Sequence, residues 1–207
     1  VEAELAGYAP NARFVRHGQS WDEAFEHATA VCAQTGEVLV HPFDHARTVE
    51  GAATVAVELL QDVRDVRTIV VPVGGGSLLA GTCLAAKSFD RGIRVIGVEP
   101  RGAAGMSESL AAGHPITLGS VRTAACGLAV ARVGGLTFQI AQALVDEVVV
   151  VGEQEIEAAR AQLAANGLGI ELSGAAGLAA LVSFNLNRGG GTSAVVLSGG
   201  NTDQHTE

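Results

Sequence analysis

Apolar positions along the 207-residue chain fall into two kinds of run. Four are short and nearly unbroken: TIVVPV at 68–73, IRVIGVE at 93–99, DEVVVV at 146–151 and SAVVLS at 193–198. Such runs predict strands covered on both faces, as in a parallel sheet. Between and before them, apolar residues recur at helical spacing and predict helices at 48–60, 77–87, 104–112, 136–144, 154–165 and 175–185. Strand alternating with helix implies βαβ units with right-handed crossovers. The expected fold is therefore α/β, an open, mostly parallel sheet with helices on both faces.

The first 45 residues read differently. A short strand is expected at 13–16, broken by Gly18, and Ser20 with Glu23 forms a capping box that starts a helix. Ala24, Phe25, Ala28 and Val31 share one face of that helix, and Gly36 ends it. A second strand is expected at 37–40, followed by the loop HPFDH at 41–45. On this pattern the chain divides into 1–45 and 46–207. The closing stretch NTDQHTE has no apolar residue and reads as a polar tail. No fixed-period repeat interrupts the chain.

Composition narrows the function. Apolar residues make up 48% of the chain, with 27 glycines and only 4% aromatics, which suits close packing of helices on a sheet. A formal charge of −9 with no basic patch argues against nucleic acid and acidic membrane surfaces as partners. No apolar run of membrane-spanning length and no signal-type N-terminus is found, so a cytoplasmic location is expected. Cys32, Cys83 and Cys126 are too far apart for a zinc cage or a disulfide framework and are expected to be buried, reduced thiols.

The chemistry concentrates at one turn. Gly74, Gly75 and Gly76 lie between a predicted strand and a helix beginning at Ser77. Consecutive glycines let backbone amides converge, and the helix start adds partial positive charge, so an anion such as phosphate can be held without a basic side chain. A Walker A loop is excluded, because Ser77 and Leu78 stand where Lys and Ser/Thr are required. A dinucleotide fingerprint lacks its third glycine, with Leu79 in that place, although Glu99 at the end of the next strand stands where a ribose-binding acid would. The nucleotide reading thus rests on Glu99 alone.

Five segments in register, VPVGGGSLLAG, IRVIGVEP, AAGHP, CGLAVARVGGLTF and LSGGN, resemble the C-terminal part of fold-type-II pyridoxal-phosphate enzymes. Threonine dehydratase, serine dehydratase and serine racemase are the nearest members. The upstream VRHGQSWDEAFEHATAVCAQTGEVLVHPFDH continues the likeness, so that it covers essentially the whole chain. The resemblance implies a fold like that of the tryptophan synthase β-subunit, incomplete at the N-terminus. Residues 1–45 would be the remainder of the small domain and 46–207 the C-terminal part of the large, phosphate-binding one.

It further implies that Gly74, Gly75, Gly76 and Ser77 hold the phosphate of pyridoxal 5'-phosphate, and that Gly127 lets backbone pass beside the cofactor ring. Cys126 replaces the acid that often precedes that glycine. Ser198 would hydrogen-bond the pyridine nitrogen, and a neutral hydroxyl there makes the ring a weaker electron sink, which suits β-elimination. Glu99, with the Ala103 carbonyl, would bind a divalent or monovalent cation, although the further acid of that site is Gly105 here, and one carboxylate holds a divalent ion poorly. Glu171, in ELSGAAG, is either on the cofactor side or a helix-start acid stabilised by the dipole.

The implied activity is conversion of threonine or serine to a 2-oxo acid and ammonia, with a small-molecule amino acid as substrate and a homo-oligomer as the assembled form. A racemase or related lyase, or a non-catalytic cofactor-binding remnant, stays open. The Schiff-base lysine of the family lies in an upstream segment with no counterpart here. The single lysine, Lys87, comes late on the helix after the glycine turn and is expected at the surface, pointing away from the cofactor. His41 and His45 flank a proline-containing loop and do not share a helical face, which argues against a metal pair.

Overall fold

The computed structural model describes residues 7, 9, 11–18, 21–184, 186 and 190–200. Two compact units emerge, Val1–Val40 and His41–Glu207. In the first, helix α1 (Trp21–Thr35) stops at Gly36, whose backbone turns left-handed (φ +75°) and whose N–H donates to Cys32 O at 2.9 Å. The strands expected at 13–16 and 37–40 do not form. A strand needs a neighbour to satisfy its amides, and neither segment has one among the described residues; Val38 and Val40 are left 87% and 82% exposed. Ser20, the expected cap, lies outside the described residues.

The second unit begins with α2 (Ala46–Asp62) and continues β1 (Val66–Pro72), α3 (Ser77–Phe89), β2 (Arg94–Pro100), α4 (Gly105–Ala112), α5 (Gly135–Leu144), β3 (Glu147–Val151), α6 (Glu153–Ala165), α7 (Leu172–Phe184) and β4 (Thr192–Val195). All pairings are parallel and the sheet order is β3-β2-β1-β4. The steps from β1 to β2 and β2 to β3 move one way across the sheet, and the return to β4 moves the other way. With right-handed crossovers this reversal sends α6 and α7 to the opposite face from α3, α4 and α5.

The cores follow that division. Ile69, Val71 and Val73 alternate toward a layer with Leu79, Cys83, Met106 and Phe138. Val70, Ile96 and Val98 face Ile156 and the alanines of α7. Covered on both sides, β1 buries nearly every residue, which explains its unbroken apolar run. Helix α2 packs on α3 where Gly81 removes a side chain: a Cβ there would meet Ala53 N at 2.6 Å and Val49 O at 2.7 Å. The reversal of strand order puts a crevice beyond the carboxyl ends of β1 and β4, the place where ligands bind in open α/β sheets.

Candidate functional site

The turn between β1 and α3 opens onto that crevice. Gly76 is the N-cap of α3 in the left-handed region (φ +97°, ψ −1°), with Gly75 and Gly76 buried and Gly74 and Ser77 half-exposed. Among the described residues, the N–H groups of Gly74, Gly75, Gly76 and Ser77 donate to no protein acceptor. Four free donors at a helix start can hold an anion such as phosphate. A Cβ at Gly74 would press on Gly127 O at 3.0 Å and Leu128 Cα at 3.3 Å, and one at Gly76 would lie 2.8 Å from Thr137 Oγ1. Only glycine fits at either position without displacing its neighbours.

Gly127, distant in sequence, is therefore brought against Gly74. Its N–H donates to Ser173 Oγ at 2.9 Å, and Ser173 is buried in the first turn of α7. Glu171 caps that helix, its carbonyl accepting from Ala175 N at 3.1 Å, while its own N–H donates to Gly199 O at 3.1 Å and its carboxylate lies against Gly199. Ser198, immediately before Gly199 past the end of β4, is exposed. Thus Gly127 lies against the glycine turn and, through Ser173 and the neighbouring Glu171, is linked to the chain just past β4. Asn201 of the LSGGN segment lies outside the described residues.

Glu99 and Lys87 go elsewhere. Glu99 is 1% exposed and accepts from Met106 N at 2.7 Å and Ser107 N at 2.8 Å, one amide on each oxygen, so it closes the start of α4. Burial pushes its carboxyl up to about 7, against the pull of those two amides. Both oxygens face donors, Gly105 offers no side-chain ligand, and the described residues contain no cluster of three His, Cys, Asp or Glu side chains. Glu99 and Ala103 thus do not fit a cation site, and with its carboxylate committed to α4, Glu99 no longer supports a ribose-binding role.

Lys87 is not the surface residue expected. Its side chain is 13% exposed, and Nζ donates to Ile93 O at 2.6 Å and to Asp146 Oδ2 at 2.7 Å. Asp146 also accepts from Val95 N at 2.7 Å, so the pair joins the starts of β2 and β3 at the end of the sheet opposite the glycine turn. A cleft of about 480 Å³ at that same end, between Val63, Arg67, Phe89 and Ile93, contains none of the predicted site residues. The thiols also divide: Cys83 is buried and its thiol is pushed up to about 12 by burial, but Cys126 is exposed, contrary to the expected burial.

Sequence reading missed Phe43, Asp44, Thr137 and Ser173. Each sits within a quoted segment, HPFDH, GGLTF or ELSGAAG, but their partners are distant in the chain. Asp44 accepts from Gly135 N at 2.9 Å and Leu136 N at 2.8 Å, and Thr137 Oγ1 donates to Gly75 O at 2.7 Å.

A family model described as pyridoxal-phosphate dependent enzyme matches residues 6–199. The chain belongs to this family. It is 38% identical over 198 residues to L-threonine ammonia-lyase of Thermotoga maritima, covering 93% of this chain and 48% of that protein. It is 42% identical over 202 residues to serine racemase of Arabidopsis thaliana, covering 91% of this chain and 61% of the relative. Among solved structures it superposes on maize serine racemase with a TM-score of 0.92 at 35% identity, covering 99% of this chain and 64% of that one. Threonine deaminase isoform 2 of Solanum lycopersicum gives 0.87 at 35% identity, covering 92% and 56%. The fold is thus that of fold-type-II pyridoxal-phosphate enzymes, and the chain spans about half to two-thirds of the length of these relatives. Its turn at 74–77 fits the cofactor that the family name implies, since its four amides are free to take a phosphate and glycine stands wherever a side chain would intrude.

Proposed function

We propose that this chain is the cofactor-holding part of a pyridoxal-phosphate-dependent threonine/serine ammonia-lyase, which converts a β-hydroxy amino acid to a 2-oxo acid and ammonia. The reading is supported above all by the four free amides of the turn 74–77 beside Gly127 at the switch point of the sheet. Pyridoxal phosphate, when bound, supplies an aldehyde for the substrate amine and a ring that accepts electrons. The N–H groups of Gly74, Gly75, Gly76 and Ser77 bind and orient its phosphate. Gly127, held by Ser173, would bring backbone without a side chain beside the ring.

Ser198 offers a neutral hydroxyl at the pyridine nitrogen. A hydroxyl brings no charge to hold a proton there, which favours loss of a β-leaving group over long-lived carbanion chemistry. Lys87, committed to Asp146 at the far end of the sheet, does not move the Cα proton. Lys87 is the single lysine of these 207 residues, so none of them is assigned as the base for that step. A serine racemase is the second reading, supported by the 42% identity to the Arabidopsis protein.

The test is product formation from threonine and serine, with added pyridoxal phosphate, by the longest protein that the gene encodes. Release of 2-oxobutyrate and pyruvate is the expected result. D-serine without 2-oxo acid would select the racemase. No product from any β-hydroxy amino acid would overturn both readings.

A further inference from the structure

The loop at 41–45 fastens three elements together. His41 Nδ1 accepts from Phe43 N at 3.2 Å and Asp44 N at 2.8 Å, which folds the loop into a tight turn. From that turn the Asp44 carboxylate takes both amides at the start of α5, on Gly135 and Leu136. The next residue of α5, Thr137, donates to Gly75 O at 2.7 Å, and Gly134 N–H donates to the same carbonyl at 3.2 Å. The ring of Phe43 fills the space a Cβ on Gly75 would need.

The peptide plane converts this grip into a direction. In a trans peptide the C=O of one residue and the N–H of the next point oppositely within one rigid plane. Drawing Gly75 O toward α5 therefore turns the Gly76 N–H away from α5. Gly76, in its left-handed conformation, has no side chain to resist that orientation. A donor held in advance costs no ordering when the anion arrives.

We propose that Asp44 and Thr137 are positioning residues for the phosphate-binding turn: Asp44 anchors the start of α5, Thr137 clamps the Gly75 peptide, and together they aim the Gly76 N–H at the ligand. This rests on the reading of 74–77 as the cofactor-phosphate site. Neither side chain touches the phosphate.

The chain is titrated calorimetrically with pyridoxine 5'-phosphate and with pyridoxine, neither of which carries an aldehyde. The ratio of the two dissociation constants isolates what the phosphate contributes. Thr137→Val and Asp44→Ala each reduce that ratio by about tenfold, the scale of one lost hydrogen bond to a charged group. Thr137→Ser, which keeps the hydroxyl, stays within about threefold of the original ratio, and Asp44→Asn, with one acceptor oxygen, falls between. These two conservative variants keep the test valid if an apolar replacement fails to fold. A lower melting temperature with an unchanged ratio would mean a merely structural role and overturn the inference while the cradle stands. Absence of any phosphate preference in the unaltered chain would instead overturn the cradle reading, and the positioning role with it.

Discussion

Helices α3 and α5 begin side by side and treat their first amides in opposite ways. At α5 the chain supplies its own anion, with Asp44 reaching from a loop far earlier in sequence to take two amides. Helix α4 is closed in the same manner by Glu99. At α3 four successive amides from Gly74 to Ser77 have no protein partner among the described residues. Exposed donors at a helix start are usually met by a capping side chain, so leaving them open where neighbouring helices are closed marks a position kept for something else. The closed ends are completed by the chain itself, and the open one is where the proposed ligand would sit.

The contrast breaks most readily at the open end. Gly76→Ala puts a Cβ 2.8 Å from Thr137 Oγ1 and 2.9 Å from Met106 Cε, on a backbone at φ +97°. We expect a loss of about 2 kcal/mol in stability from the left-handed backbone alone. We also expect at least a hundredfold weaker binding of pyridoxine 5'-phosphate, read by denaturant unfolding and calorimetry on the same sample. Binding within threefold of the original would show that the turn is not the anion site.

A closed end should behave otherwise. Glu99→Gln leaves one oxygen to serve two amides, so about 1–3 kcal/mol of stability should be lost. The preference for the phosphorylated ligand should stay within about threefold, since the cradle is built elsewhere. Because both carboxylate oxygens already face amides, added Mg²⁺ or Ca²⁺ should not raise the melting temperature of the unaltered protein. A cation-dependent rise that Glu99→Gln abolishes would restore the metal site set aside above.

The smallest effect concerns His41, which must be unprotonated at Nδ1 to accept the Phe43 and Asp44 amides. Burial lowers its pKa below the ordinary value of 6.5, with Asp44 opposing and His45 reinforcing the shift. A lowered histidine pKa means that the unfolded chain takes up its proton first on acidification. The stabilising contribution is therefore complete above about pH 6.5 and is lost as pH falls through the folded pKa. The difference in melting temperature between the unaltered protein and His41→Ala should shrink from about pH 7.5 to pH 5. A difference independent of pH would show that the turn does not depend on the neutral ring.

Much of this architecture was legible from local pattern. The four strands of the sheet are unbroken apolar runs because both faces are covered, and the glycine turn announces itself between a strand and a helix. The failures are those of partnership. Residues 37–40 carry the composition of a strand, but strand formation depends on a neighbour that composition does not reveal. Counting the helical rise placed Lys87 far from the cradle, yet could not foresee Asp146, 59 residues on, which draws it inward. Asp44 looked like an ordinary loop acid because its amides lie 91 and 92 residues away. Glu99, at a strand end, is open to reading as a ribose acid, a metal ligand or a solvated acid, because the amides of α4 that it accepts from do not show in the pattern.

The sheet order also has a consequence for how the molecule is made. The switch point of the sheet falls at β1 and β4, the earliest and latest of its described strands, where Ile69 pairs with Ala194. Closing so long a loop is entropically the most demanding step of assembly, so this seam should zip after the β1–β2 and β2–β3 pairs. On this ordering the turn after β1 is flanked by β2 before β4 joins it. Pulsed hydrogen exchange should find the β4 amides protected last, and a ligand present from the start should act on that final seam rather than on the nucleus.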